Sequence, residues 1–126
     1  MASKPKPSAP ASTPERWHLQ ATDVATASLV IPADALRTRY FEIACAMTVA
    51  VPAQGTSAQP WHQLTVLANG TRQWQRQVPS ANPGAWDGLD YRFTRTVPVG
   101  QELRITASVA VQGVRRRSLV LEADEV

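Results

Sequence analysis

The sequence predicts an all-β fold, a two-sheet antiparallel sandwich of about eight strands, from two observations. Short runs of residues alternate between apolar and polar side chains, which is the pattern of half-buried strands. Turn residues separate these runs, among them Asn69-Gly70, Pro98-Val99-Gly100 and Gln112-Gly113. Short strands with regularly spaced turns are typical of sandwiches. We expect a jelly-roll strand order, with an immunoglobulin-like order as the alternative.

The clearest predicted strand covers residues 40–51. One of its faces carries only apolar side chains: Phe41, Ile43, Cys45, Met47, Val49 and Val51. The opposite face is small or polar, and this strict alternation excludes a helix. The other strands are expected at residues 17–22, 27–31, 61–68, 71–78, 89–97, 103–111 and 114–123. Residues 33–37 are the one place where a helical turn is expected.

The first residues differ in composition from the rest. From Ala2 to Pro14 the chain consists of proline, serine, alanine, threonine and lysine, without a large apolar side chain. Such a segment cannot bury enough surface to offset the entropy lost on ordering. We therefore expect residues 1–15 to be a flexible arm, residues 16–126 to be the domain, and the arm to become ordered by docking on a partner.

Composition narrows the class of protein. The single cysteine, Cys45, excludes an intramolecular disulfide, and its inward position predicts an inert thiol. No apolar run is long enough to span a bilayer, and the N-terminus lacks the apolar segment of a secretion signal. We expect a cytoplasmic or virion protein without membrane contact. The net charge of +3 is too small to argue for a nucleic-acid partner.

No arrangement of residues predicts catalysis, a metal or a cofactor. His18 and His62 each lie in a predicted strand next to a tryptophan, without the spacing of metal ligands, and both are expected to be half-exposed packing residues. Asp87 and Asp90 flank a short segment beside Trp86. Two carboxylates near a tryptophan are also found in the active sites of glycosidases. Turn capping or calcium binding explains them without catalysis. We expect that the protein is not an enzyme.

Two groups of residues are candidates for binding. Arg72, Trp74 and Arg76 alternate along one predicted strand, where they form either a surface for sugars, bases or protein, or an edge strand whose arginines cover the tryptophan. Three consecutive arginines, residues 115–117, point to both faces of the last strand, so we expect a solvated strand end, with an anion site as the alternative. The candidate binding residues are Arg72, Trp74, Arg76, Trp86, Asp87 and Tyr91.

The leading functional hypothesis is a structural protein that docks on a larger protein lattice through its arm and the Arg/Trp surface, as a virion decoration or cement protein does. It predicts an oligomer or a complex with a protein partner. The alternative is a carbohydrate-binding module that uses Trp61, Trp74, Trp86 and Tyr91 as aromatic platforms. A nucleic-acid role ranks third. We also expect at least one tryptophan, Trp17 or Trp61, to be buried in the core.

Overall fold

The computed structural model describes residues 13–53 and 59–126, which form eight strands. The strands are β1 (Arg16–Thr22), β2 (Thr26–Ile31), β3 (Arg39–Ala50), β4 (Trp61–Ala68), β5 (Thr71–Pro79), β6 (Trp86–Val97), β7 (Leu103–Gln112) and β8 (Arg115–Glu125). In this part of the chain no helix has the length and hydrophobicity that crossing a membrane requires. The predicted all-β class is confirmed.

The strands form two four-stranded antiparallel sheets. Sheet 1 has the order β1-β8-β3-β6, and sheet 2 has the order β2-β7-β4-β5. The first strand pairs with the eighth, the second with the seventh, the third with the sixth and the fourth with the fifth. This is the order of one long hairpin rolled up on itself, which is the jelly roll. The predicted jelly-roll order is therefore confirmed, and the immunoglobulin-like alternative does not form.

The core lies between the sheets and is built from the alternation that the sequence predicts. Phe41, Ile43 and Cys45 of β3 are at most 1% exposed, and Leu64 and Ile105 of sheet 2 are fully buried. Burying side chains of this size stabilises the fold by about 1.5–3 kcal/mol each. Burial also raises the pKa of the Cys45 thiol to about 12, so the inert thiol that we expected follows from its surroundings.

Two predicted elements differ from the structure. Residues 33–37 form a bend and no helical turn, because the Asp34 carboxylate accepts the backbone N–H groups of Leu36 and Arg37 at 2.8 and 3.2 Å. An aspartate that bonds its own backbone in this way favours a turn over a helix. The sixth strand begins at Trp86 and not at residue 89, because its first residues continue the ladder with β3 as far as Ala50.

The expectation that a tryptophan anchors the core is wrong. Trp17 and Trp61 are both half-buried, and the largest fully buried side chain is Phe41. Trp17 packs against the edge of the core and donates its indole N–H to the Glu15 carboxylate at 3.1 Å. The polar edge of the indole therefore faces a carboxylate near the surface, as is usual for tryptophan at a boundary.

Charged side chains tie the start of β1 to the end of β8. The guanidinium of Arg39 is buried and donates to the Glu15 carboxylate at 2.7 Å and to the Pro32 carbonyl at 2.6 Å. Arg37 donates to both Glu15 and Glu125, and its hydrogen bond lowers the pKa of Glu125 to about 2. We call this end of the sandwich the arm end, because the predicted arm joins the domain here.

Candidate functional site

The middle of the outer face of sheet 1 carries small side chains and is therefore recessed. Core residues of β3 alternate with the outward-facing Ala44, Ala46 and Thr48, so the middle of the sheet carries small side chains. The neighbouring position on β6, opposite Thr48, is Gly88. Larger side chains stand on the surrounding strands, and together they leave shallow depressions on this face. Concave surfaces with a few polar groups are the usual sites of ligand binding.

One depression on this face has a volume of about 410 Å³ and lies where β6 begins. It is lined by Gln20, Thr22, Thr48, Trp86, Arg117 and Ser118, and we call it the Trp86 depression. Trp86 is 58% exposed, and the guanidinium carbon of Arg117 lies 5.4 Å from the centre of its ring. This distance is that of a cation–π contact, which holds the two side chains together.

A β-bulge in β8 allows Arg117 to reach this face. Ser118 pairs with Thr48 and Arg116 pairs with Val49, so Arg117 has no partner on β3. An extra residue of this kind bends a strand and redirects its side chains. Arg116 instead donates to the Val109 carbonyl of sheet 2 at 3.0 Å. The predicted solvated strand end is therefore only partly correct, because two of the three arginines have defined contacts.

The part of this face nearer the arm end is acidic. A depression of about 240 Å³ is lined by Glu42, Ile43, Ala44, Arg92, Phe93, Thr94, Glu122 and Asp124. Two of its carboxylates have side-chain neighbours on β1, since Asp124 forms an ion pair with Arg16 at 2.9 Å and Glu122 lies 3.6 Å from the His18 imidazole. The outer face of sheet 1 is thus basic and aromatic at one end and acidic at the other.

Two of the predicted aromatic platforms, Trp74 and Tyr91, stack on each other between the edge strands of the two sheets. Trp74 of β5 and Tyr91 of β6 stack with ring centres 4.7 Å apart and an angle of 7° between their planes, and Tyr91 also stacks on Phe93 at 5.5 Å. Because β5 and β6 are the edge strands of different sheets, the stack joins the two sheets at their open side. Trp74 and Tyr91 therefore cover each other and do not form an open platform with Trp86.

The predicted common face of Arg72, Trp74 and Arg76 does not form. A second bulge shifts the register of β5, where Val66 pairs with Trp74 but the next residue, Leu67, pairs with Arg72. The extra residue turns Arg72 away from the side on which Trp74 lies. Both arginines are exposed, and Arg72 donates to the Gln75 amide at 3.2 Å. A bulge of this kind has no clear signature in a single sequence.

The predicted carboxylate pair is divided between two faces. Asp87 pairs with Val49 and Asp90 with Ala46, so the two side chains point to opposite sides of β6. Asp87 accepts the backbone N–H groups of Ala81 and Gly88 at 3.2 and 2.8 Å, which corresponds to the capping role considered from the sequence. This arrangement holds the loop before β6 in place.

The two histidines lie in different sheets, and the expectation that both are half-exposed is wrong for one of them. His18 is exposed on β1, whereas His62 on β4 is fully buried and lies 2.7 Å from the Ser80 hydroxyl. Its other ring nitrogen is 3.4 Å from the Gly88 carbonyl. Within residues 13–53 and 59–126, no three histidine, cysteine, aspartate or glutamate side chains are grouped to hold a metal.

Of the six candidate binding residues, only Trp86 lines a depression on the outer face of sheet 1. The other five residues that line the Trp86 depression were not among the candidates: Gln20, Thr22, Thr48, Arg117 and Ser118. One signal for the site was present in the sequence, since the small side chains on the outer face of β3 predict a shallow surface. Arg117 had no such signal, because its direction depends on the bulge in β8.

Comparison with known proteins shows only distant resemblance. No family model matches the chain, and no curated protein matches its sequence. One similar solved structure is dimeric latent PorU from Porphyromonas gingivalis, at 14% identity and a TM-score of 0.43, with 89% of this chain and 13% of that chain covered. Another is a family 35 carbohydrate-binding module from Clostridium thermocellum, at 12% identity and a TM-score of 0.38, with 87% of this chain and 98% of that chain covered.

Proposed function

We propose that the chain is a non-catalytic β-sandwich module that binds carbohydrate on the outer face of sheet 1. The observation that carries the proposal is the 58% exposed Trp86 at the rim of the Trp86 depression. A pyranose ring has an apolar C–H face that stacks on an indole, and tryptophan offers the largest such surface. The cation–π contact with Arg117 at 5.4 Å restrains the indole before a ligand arrives, which lowers the entropy lost on binding.

The polar side chains around Trp86 suit the hydroxyl groups of a sugar. Gln20 supplies both a donor and an acceptor, and the hydroxyls of Thr22, Thr48 and Ser118 each supply both as well. The hydroxyls of Thr48 and Ser118 are 2.6 Å apart and so can present a joint donor and acceptor pair. A shallow and open site of this kind accommodates an inner segment of a polysaccharide as well as its end.

The composition of the Trp86 depression supports binding without hydrolysis. Most glycosidases need two carboxylates on either side of the bond that they cleave. None of the six side chains that line the depression is a carboxylate. The nearest candidate pair from the sequence, Asp87 and Asp90, points to opposite faces of β6. The residues that line the Trp86 depression therefore favour recognition over catalysis.

Trp86→Ala is expected to weaken binding of a recognised polysaccharide at least tenfold, or about 1.4 kcal/mol, because the stacking surface is lost. The measurement is isothermal titration calorimetry against a panel of soluble neutral and acidic polysaccharides. Because the side chain is mostly exposed, thermal unfolding should change little. Tyr40→Ala is the matched control, since Tyr40 is an exposed aromatic residue on the same face at the arm end. Equal losses in both variants, or no binding by the unmodified chain, would contradict the proposal.

A second candidate is the assembly role, in which the arm end docks on a protein lattice or on another copy of the chain. It is favoured by Leu36 and Val99, which are 91% and 47% exposed. The loops that carry them meet at the arm end, where the Gly100 N–H donates to the Asp34 carbonyl at 2.8 Å. Exposed apolar side chains in neighbouring loops are typical of protein-interaction surfaces.

The molar mass in solution, measured by light scattering, tests whether copies of the chain associate through the arm end. If the full-length protein is an oligomer, Leu36→Glu combined with Val99→Glu is expected to reduce it to the monomer mass, because burying two carboxylates opposes the contact. Trp86→Glu is the control, since it adds a charge at an exposed apolar residue on the opposite end of the sandwich. An oligomer that persists in the double variant and dissociates in the control would reject the arm end as the interface.

A further inference from the structure

Two arginines beside the Trp86 depression have no anionic partner in the described part of the chain. Arg16, Arg37 and Arg39 each contact a carboxylate within 4.0 Å. Neither Arg115 nor Arg117 does so among residues 13–53 and 59–126, although both are exposed. Arginine offers five N–H donors in a planar arrangement that fits carboxylate and sulfate groups. Both side chains therefore have donors directed to solvent.

These two arginines line one depression. It has a volume of about 350 Å³ and is lined by Thr22, Asp23, Ala50, Arg115, Arg116 and Arg117, and we call it the arginine depression. Its lining shares Thr22 and Arg117 with the Trp86 depression, so the two are neighbours. Because of the bulge at Arg117, three consecutive residues of β8, Arg115, Arg116 and Arg117, all line this depression. Asp23 is the one carboxylate on this lining.

The position of Arg117 between the two depressions links aromatic stacking to anion binding. The carbon of its guanidinium lies 5.4 Å from the centre of the Trp86 ring, at the distance of a cation–π contact. The guanidinium has five N–H donors, and Arg117 forms no ion pair within residues 13–53 and 59–126, so donors remain for a second ligand. A ring stacked on Trp86 would thus place its substituents next to an immobilised positive charge.

We infer that the arginine depression is an anion subsite for a carboxylate or sulfate group of an acidic polysaccharide, next to a sugar stacked on Trp86. This inference rests on the proposed carbohydrate-binding function. The acidic depression on the same face, with Glu42, Glu122 and Asp124, opposes an anionic chain that runs along the whole face. We therefore expect the acidic sugar chain to cross the face at its Arg115 end, stacked on Trp86, and binding of a nucleic acid is one outcome of the test.

The test uses the full-length chain and calorimetry with matched polymers. Polygalacturonate is compared with its carboxyl-reduced form, and dextran sulfate with dextran, so that carboxylate and sulfate are distinguished. Arg115→Gln is expected to weaken binding of the acidic polymer about tenfold while binding of its neutral counterpart changes less than twofold. Arg117→Gln is expected to weaken binding of both polymers, because Arg117 also restrains Trp86, and to weaken binding of the acidic polymer about tenfold more than that of the neutral one. Arg76→Gln is the control, because it removes the same charge from an exposed residue of sheet 2.

Different outcomes separate this inference from the proposed function. Binding of neutral polymers that depends on Trp86 but not on the arginines or on the charge of the polymer would overturn the anion subsite and leave the carbohydrate function standing. Equal losses in Arg76→Gln and Arg117→Gln would also overturn it, since net charge alone would then explain binding. Poly(dT) binding as tight as that of the acidic polysaccharide would replace the sugar ligand with a nucleic acid. Binding of none of these polymers would reject both proposals.

Discussion

Glu15→Ala is expected to lower the free energy of unfolding by about 3 kcal/mol, because it leaves a buried guanidinium without its counter-charge. The side chain of Arg39 is only 2% exposed and contacts the Glu15 carboxylate at 2.7 Å. One nitrogen of that guanidinium, Nε, already lacks a hydrogen-bond partner among residues 13–53 and 59–126. Losing Glu15 also removes the acceptor of the Trp17 indole N–H. The measurement is urea unfolding followed by tryptophan fluorescence and circular dichroism.

The neighbouring residue provides a matched control. Arg16 forms an ion pair with Asp124 at 2.9 Å, but its side chain is 81% exposed. Exposed pairs contribute about 0–1 kcal/mol, so Arg16→Ala should have a small effect. Combining Glu15→Ala with Arg39→Met should recover part of the lost stability, because the buried charge is then absent. Similar losses for Glu15→Ala and Arg16→Ala would show that burial of Arg39 does not determine the cost.

This network also joins Glu15 to the sandwich. The sequence suggested that Glu15 belongs to the flexible arm, because it follows the proline-rich segment. In the structure its carbonyl accepts the N–H of Glu125 at 2.9 Å, and its carboxylate contacts Arg37 and Arg39. The contact with Glu125 joins residues 110 positions apart in the chain, and those with Arg37 and Arg39 join residues 22 and 24 positions apart, which local sequence patterns do not report. Residues 1–12 of the predicted arm lie outside the described residues.

The fold was largely predictable because it depends on local patterns. Strict alternation identifies β3, and Asn69-Gly70 identifies a hairpin whose two turn residues have positive φ, 48° and 80°. The strand order follows from pairing first with last, which a regular series of short strands favours. The one predicted helical turn was wrong because the Asp34 side chain competes for the backbone N–H groups.

The candidate site was less predictable because two bulges determine it. One bulge in β5 separates Arg72 from Trp74, and another in β8 brings Arg117 to Trp86. Each adds one unpaired residue to a strand and leaves no mark in its composition. Residues beyond the bulge therefore point to the face opposite to the one that simple alternation predicts. The exposure of Trp86 likewise depends on the β6 ladder reaching Ala50 of β3. A strand's composition indicates binding residues, and its register decides which of them meet.

Gly88→Ala is expected to lower the free energy of unfolding by about 3 kcal/mol, because a Cβ atom at this position has no room. An added Cβ would lie 2.4 Å from the backbone carbonyl oxygen of Met47. The clash is with backbone, so relief requires β6 to move away from β3. That movement would strain the ladder next to Trp86 and the contact between His62 and the Gly88 carbonyl.

Gly70→Ala is the control for this substitution, and it separates steric from conformational cost. A Cβ at Gly70 meets nothing within 4 Å, but the residue has a φ of +80°, so alanine there should cost only about 1 kcal/mol. Urea unfolding measures both variants, and calorimetry shows whether Gly88→Ala also weakens polysaccharide binding. We expect that it does, because the position of Trp86 depends on the β3–β6 ladder. If Gly88→Ala lowers the free energy of unfolding no more than Gly70→Ala does, the β3–β6 ladder accommodates the added Cβ and does not fix the position of the Trp86 indole.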